Sequence, residues 1–197
     1  MGKLNNKSLV ITALFCVLWL ACGFGLAKAA YQDPALNAAA STIAGKPVIV
    51  SCPESIHEWA QFEDIAGFKF EVEGFTYVGR DNVIFLAAEA CKALVADLRY
   101  GPTAVGDYWN GLAIRALVHE ATHQRLNSGD ETLVDCTTLA TIRSYLPLFG
   151  YTPTVTRVTY VKLKSGTYRR VSKVVPNPAT ASVMQWITFW DSYHAVC

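Results

Sequence analysis

The sequence carries almost no net charge, and this limits the classes of partner that the protein can bind. Its 17 basic and 16 acidic side chains leave a formal charge of +1 over 197 residues. Residues 1–29 carry three lysines and no acid, so the rest of the chain has 14 basic and 16 acidic residues and a charge of −2. A near-neutral, slightly acidic domain lacks the strongly basic surface of nucleic-acid-binding proteins. We therefore expect no nucleic-acid partner.

Cysteine pairs of the CxxC type are also absent, although the chain has six cysteines. Their absence argues against a structural zinc site built from cysteines. Cys16 and Cys22 fall in the N-terminal segment, which leaves Cys52, Cys91, Cys136 and Cys197. Four cysteines in an exported chain predict two disulfides, with three connectivities open. Chain order alone suggests the pairs Cys52–Cys91 and Cys136–Cys197.

The N-terminal segment has the pattern of an export signal. Residues 1–7 carry two lysines and no acid, and residues 9–26 are uncharged and mostly apolar. Ala27-Lys28-Ala29 then offers a cleavage site of the small-x-small type. We expect residues 1–29 to be a signal peptide or, because the apolar run is almost long enough to span a bilayer, an uncleaved anchor. Residues 30–197 then form a single extracytoplasmic domain, secreted or anchored, for which the membrane is a partner only if the segment stays uncleaved.

The order of predicted elements after residue 30 indicates an α+β fold. Apolar spacing, caps and turn residues predict a small, mostly antiparallel sheet packed on a pair of helices, followed by a C-terminal extension at 151–197. The helices are expected at 33–45, 87–99, 108–126, 130–146 and 179–195. Strands are expected at 47–52, within 67–78, at 83–86, and in a hairpin at 154–175, whereas residues 53–65 are expected to be irregular.

Two of only four histidines, His119 and His123, lie four residues apart in an apolar, proline-free segment. On an α-helix this spacing places both imidazoles on one face, where they can hold one Zn²⁺. Glu120, beside them, is placed to take a proton from a zinc-bound water, which is the H-E-x-x-H arrangement. Gly129 is expected to end this helix in a left-handed conformation.

A zinc peptidase needs a third protein ligand and an open position for water. No other histidine lies near the motif, so we expect a carboxylate, and Glu131 follows His123 by eight residues. Asp135 would lie on the same helical face as Glu131 and could accept the free ring N–H of a zinc-bound histidine. Two alternatives stay open: Ser128 and Glu131 match a capping box, and Asp130 could replace Glu131 at the metal.

This pattern resembles the gluzincin clan of zinc metallopeptidases, to which thermolysin belongs. The resemblance implies that His119, His123 and Glu131 bind zinc. It also implies that Glu120 is the general base and that Asp135 supports a ligand histidine. It is closer still to small exported bacterial HExxH proteins with a cysteine just after the E-x-x-x-D/E segment, as Cys136 is here. Most of these are known as candidate peptidases. The gap between His123 and Glu131 is much shorter than in thermolysin.

Together these patterns predict an exported zinc-dependent peptidase that acts on a peptide or protein substrate. A zinc-stabilised extracellular binding module without turnover is the first alternative, because no separate substrate-binding domain is recognisable. A structural protein held by disulfides, in which the motif is accidental, is the second.

The C-terminal hairpin region is basic throughout. Residues 151–175 contain six basic side chains and no acid: Arg157, Lys162, Lys164, Arg169, Arg170 and Lys173. One interpretation is contact with an anionic envelope surface, such as a cell-wall polymer or lipid headgroups. The other is a solvated hairpin whose lysines prevent edge-to-edge pairing with other chains.

Overall fold

The computed structural model describes residues 31–67, 73–79, 81–102, 107–194 and 197. Its helices are α1 (Pro34–Ala44), α2 (Ile56–Ala66), α3 (Ala88–Tyr100), α4 (Asp107–Leu126), α5 (Glu131–Tyr145), a 3-10 turn (Leu146–Phe149) and α6 (Pro178–His194). Its strands are β1 (Ile49–Ser51), β2 (Gly74–Thr76), β3 (Val83–Leu86), β4 (Thr154–Lys162) and β5 (Tyr168–Pro176). The signal or anchor segment at 1–29 lies outside the described residues, as does residue 30.

Two small sheets accompany these helices, so the predicted α+β class is confirmed. In the first sheet the strand order is β1–β3–β2, with β2 antiparallel and β1 parallel to β3. The second sheet is the β4–β5 hairpin, which is antiparallel throughout. The sheets are therefore mostly antiparallel, and β2 lies at an edge of the described three-stranded sheet.

Helix α4 is the centre of the packing, in contact with α1, α3, α5, α6, β2 and β3. Its buried side chains include Leu112, Ala113, Ile114, Leu117, Val118 and Ala121. A helix that is apolar around much of its circumference belongs in a core rather than on a surface. Gly111 allows α6 to come close, because a Cβ added there would lie 3.1 Å from Cβ of Trp186. The H-E-x-x-H motif thus lies on a helix held by neighbours on several sides.

The prediction of irregular structure at 53–65 is wrong, because helix α2 occupies most of that range. Ser55 caps it by accepting a hydrogen bond from the Glu58 amide at 3.2 Å, and Glu58 accepts one from the amide of Glu54 at 2.7 Å. Gly67 ends the helix with φ 81°. Ser55-x-x-Glu58 is a variant of the capping box, so the sequence carries a local signal for the start of this helix.

Both disulfides are present, between Cys52 and Cys91 and between Cys136 and Cys197. Residues 31–197 form one compact unit that contains both disulfides and the described core. This unit has its own hydrophobic core, as a domain that can fold by itself does, and both disulfides lie within it. Disulfides persist in oxidising compartments, so the two disulfides indicate an extracytoplasmic protein. In the part of the chain that the structure describes, no helix has the length and apolar character needed to cross a membrane.

Candidate metal centre

A short turn joins the motif helix α4 to α5. Helix α4 ends at Leu126, and Asn127 takes the left-handed conformation with φ 49°. The expectation that Gly129 fills this role is wrong. Asparagine is the non-glycine residue that best tolerates this conformation, so the chain reverses two residues earlier than expected. The earlier reversal brings the start of α5 back over the last turn of α4.

This turn also holds one of the two histidines. Nδ1 of His123 lies 2.7 Å from the carbonyl oxygen of Ser128. A carbonyl only accepts, so the ring places its proton on Nδ1 and leaves the lone pair of Nε2 exposed to the other side. The His123 side chain is buried, with 6% of its surface exposed, and its orientation is therefore restricted.

His119 is held by a carboxylate from α5. Its Nδ1 lies 2.9 Å from Oδ1 of Asp135, and the same oxygen lies 3.1 Å from the guanidinium of Arg115. Nδ1 has no aligned hydrogen bond in spite of this distance, so the contact is electrostatic with a bent geometry. It still favours the proton on Nδ1 and the lone pair on Nε2. Burial, reinforced by the neighbouring His123, lowers the pKa of His119, and the neutral imidazole is the form that binds metals.

Three atoms with lone pairs consequently point at one spot. Nε2 of His119 lies 3.0 Å from Nε2 of His123, and Oε2 of Glu131 lies 3.1 Å and 3.4 Å from these two nitrogens. Three such atoms at these distances repel one another unless a proton or a cation lies between them. The arrangement is therefore suited to hold a positive charge.

Glu120 lies beside this triangle and is buried. Burial raises the pKa of its carboxyl well above the usual range, and the negative charge of Glu131 raises it further. A positive charge held by the histidines would oppose both effects. Its Cγ packs against β2, where a Cβ added to Gly74 would lie 3.3 Å from it. The missing side chain at Gly74 leaves the space that the Glu120 side chain occupies.

The beginning of α5 separates the roles of two neighbouring acids. Asp130 is the N-cap, and its carboxylate accepts a hydrogen bond from the amide of Leu133 at 3.1 Å. The hydroxyl of Ser128 accepts one from the amide of Asp130. The capping box between Ser128 and Glu131 does not form, because the Glu131 carboxylate faces the histidines instead. The Asp130 carboxylate is therefore occupied in capping α5, and Glu131 is the acid that faces the two histidines.

A cleft of about 600 Å³ opens over these residues. One wall is formed by α4 with Arg115, and the other by β2 with the flanking residues Glu73 and Val78. His119, Glu120, His123 and Glu131 all line it. The sequence patterns predict neither this cleft nor the contacts of Arg115 and Ser128. The only sequence signals were the spacing of Arg115, one turn before His119, and the glycine that opens β2.

Among the described residues, His119, Glu120 and His123 form a group whose ligand atoms lie within 4.8 Å of one another and could hold a metal ion. The structure brings Glu131 and Asp135, the other predicted site residues, to the same place. Cys136 directs its sulfur to Cys197 and takes no part in the centre. Comparison of the chain with protein-family models, with curated proteins and with solved structures finds no match in any of the three.

Proposed function

We propose that the protein is an exported zinc-dependent peptidase in which His119, His123 and Glu131 hold the metal and Glu120 is the general base. The observation that carries the proposal is the triangle of two imidazole nitrogens and one carboxylate oxygen, with sides of 3.0, 3.1 and 3.4 Å. Ligands at 2.0–2.1 Å in a tetrahedral zinc site lie about 3.3 Å apart, so the triangle has the right size. Two imidazoles and a carboxylate are also the ligand set of many catalytic zinc sites.

Glu131 is a better third ligand than Glu120. The Glu131 oxygen is within 3.4 Å of both Nε2 atoms, and its side chain is 70% exposed, so no packing contact explains why it faces the histidines. Glu120 is needed elsewhere: a general base must lie beside the metal and remain free to exchange a proton. Its burial in the wall of the cleft fits that role.

The residues around the centre would divide the work of hydrolysis. Zinc bound there would lower the pKa of a water in its fourth position and polarise the scissile carbonyl. Glu120 would accept a proton from the attacking water and return it to the leaving amine. Asp135 and the carbonyl of Ser128 would keep both rings turned with Nε2 towards the centre.

The cleft supports a peptide as substrate. On its side facing away from β3, strand β2 has no strand partner among the described residues, and all three of its residues line the cleft. An extended peptide can pair with such an edge through its main chain, largely independent of sequence. A peptide paired with β2 would cross the cleft next to Glu120, because the Cγ of this residue packs against Gly74. The export signal, whether cleaved or kept as an anchor, would place this activity outside the cytoplasm.

Replacement of Glu120 by Gln tests the mechanism. Gln keeps the shape of the side chain but cannot accept the proton, so Glu120→Gln should retain zinc and lose cleavage of an unbiased peptide library by about 100-fold or more. Glu89→Gln, at an exposed position on α3, is the matched control and should cleave like the wild type.

Three results would contradict the proposal in different ways. A Glu120→Gln variant that cleaves as fast as the wild type would refute Glu120 as the base. Stoichiometric zinc without cleavage by the wild type or either variant would favour the binding module without turnover. Protein purified without any metal would favour the purely structural alternative.

A further inference from the structure

The β4–β5 hairpin is almost entirely outside the packed part of the molecule. Of the residues in its two strands, all but Val175 are exposed. It pairs with no other strand in the described part of the chain. A two-stranded hairpin contributes little core of its own and is marginally stable alone. A long hairpin that packs so little against the described part of the chain suggests an external partner.

Charge is divided unequally between this hairpin and the rest of the protein. Residues 151–175 carry six basic side chains and no acid, whereas the remainder of residues 30–197 carries eight basic and 16 acidic ones. Arg157 and Lys173 even lie directly opposite each other across the strands, an arrangement that costs stability. Such a concentration of positive charge in the β4–β5 hairpin attracts an anionic partner to the hairpin.

The end of the hairpin nearest its turn combines these charges with aromatic rings. Tyr160 is paired with Arg170 and Lys162 with Tyr168, so by the alternation of a strand all four lie on one face. Tyr160 and Tyr168 are 68% and 65% exposed, and Leu163 at the turn is 42% exposed. Lys164 follows in the turn itself. The tip surface, as we call Tyr160, Lys162, Leu163, Lys164, Tyr168 and Arg170, therefore mixes cations with exposed apolar groups.

We propose that this tip surface docks the protein on an anionic phospholipid bilayer. Lysine and arginine are attracted to anionic headgroups, while tyrosine and leucine are stabilised at the boundary between headgroups and acyl chains. A hydrophilic polyanion such as a cell-wall polymer would satisfy the cations but leave the tyrosines and Leu163 in water. Single-stranded nucleic acid could pair its phosphates with the cations and stack its bases on the tyrosines. However, the disulfides indicate an oxidising compartment outside the cytoplasm, where nucleic acid is not the usual partner.

A second copy of the chain is the remaining candidate, since the body of the protein is acidic. A hairpin that binds the body of the next molecule makes a head-to-tail contact, which produces open chains unless the rotation closes. It would also need an acidic surface with an apolar recess for the tyrosines. The bilayer fits both the charge and the aromatic groups of one small tip, so we favour it.

Sedimentation with lipid vesicles tests the proposal on residues 31–197, the compact unit, so that the apolar run before it cannot bind lipid. The unit should bind vesicles of phosphatidylcholine with phosphatidylglycerol and not vesicles of phosphatidylcholine alone. Each cation near an anionic surface contributes about fivefold in binding, so the triple variant Lys162→Gln, Lys164→Gln, Arg170→Gln should lose on the order of 100-fold. Its matched control removes three cations outside the hairpin: Lys46→Gln, Lys92→Gln and Arg143→Gln.

A second variant separates the bilayer from other anionic partners. Tyr160→Ser with Tyr168→Ser keeps the charge, and it should weaken binding to anionic vesicles while leaving binding to a soluble polyanion such as polyphosphate unchanged. Equal loss of vesicle binding in the hairpin triple and its control would overturn the proposal. So would an unaffected double tyrosine variant, because docking would then be electrostatic only. If the protein self-associates without lipid and the triple hairpin variant does not, the partner of the hairpin would be a second copy of the chain instead.

Discussion

The carbonyl oxygen of Ser128 lies 2.7 Å from Nδ1 of His123, five residues earlier in the chain. The same turn that reverses the chain after α4 therefore also sets the tautomer of a candidate ligand. Because Asn127 rather than Gly129 takes the left-handed conformation, α5 begins close enough for Glu131 to reach both histidines. The gap of eight residues between His123 and Glu131 is much shorter than in thermolysin. It is long enough to bring Glu131 to the histidines because one compact turn both reverses the chain and orients His123.

Substitutions at Glu131 and at its neighbour Asp130 are expected to have opposite effects on zinc binding and on stability. Glu131→Ala should weaken zinc binding by more than about tenfold while leaving the free energy of unfolding of the metal-free protein nearly unchanged, since its side chain is exposed. Asp130→Ala removes the N-cap and should cost about 1 kcal/mol of stability while zinc binding persists. Zinc titration and urea unfolding of the metal-free proteins measure the two effects. Equal zinc affinity in Glu131→Ala and the wild type would contradict Glu131 as a ligand.

The helix pair could be predicted from the sequence because its signals are local. The His119/His123 spacing, the apolar run before it and the polar turn after it all lie within about one helix length. The capping signal at Ser55 is equally local, but the segment after it lacks the clear apolar stripe that indicates a helix. Its buried face rests mainly on Trp59, with Phe62 packed at the edge of the core.

The cleft and the parallel strand pair could not be predicted, because both depend on contacts between distant segments. Gly74 meets Glu120 across 46 positions of sequence, and no periodicity within either segment encodes that contact. Likewise, β1 pairs with β3 in parallel through a connection that includes α2 and β2. A strand pattern reveals which residues are buried but not the direction of the neighbouring strand.

Asp135 is expected to support zinc binding through His119. Asp135→Asn keeps the size of the side chain but removes the charge that faces Nδ1 of His119, 2.9 Å away. Zinc affinity should fall by about 10–100-fold, since partners that orient ligand histidines contribute that much. Competition with a chromogenic chelator measures the change. Asp64→Asn, exposed on α2, is the charge-matched control, and an equal effect of both substitutions would show that only the overall charge matters.

Gly74 is expected to admit no side chain. A Cβ there would lie 2.7 Å from Cδ2 of the buried Leu86, 3.0 Å from the carbonyl of Phe85 and 3.3 Å from Cγ of Glu120. Gly74→Ala should therefore destabilise the metal-free protein by about 1–3 kcal/mol, the usual cost of overpacking. Gly129→Ala is the control, since a Cβ there meets nothing within 4 Å. Equal urea midpoints for the two variants would contradict the tight contact between β2 and α4.

The N-cap of α1 predicts a stability that depends on pH. Asp33 is buried, and burial alone would raise the pKa of its carboxyl. Hydrogen bonds from Tyr31, Leu36, Arg99 and Ala35 outweigh this effect and lower the pKa below its usual value. A carboxyl with a lower pKa in the folded than in the unfolded protein stabilises the fold fully above the unfolded value. That contribution is lost as the pH falls through the folded value.

Asp33→Asn isolates this contribution, because asparagine still caps a helix but carries no charge to face Arg99, 2.6 Å away. The difference in the free energy of unfolding between the wild type and Asp33→Asn should be constant from neutral pH down to about pH 5 and should shrink below about pH 4. Urea unfolding at a series of pH values measures it. A difference that does not change with pH, or that grows in acid, would mean that Asp33 stabilises the fold through its cap geometry alone and not through its negative charge.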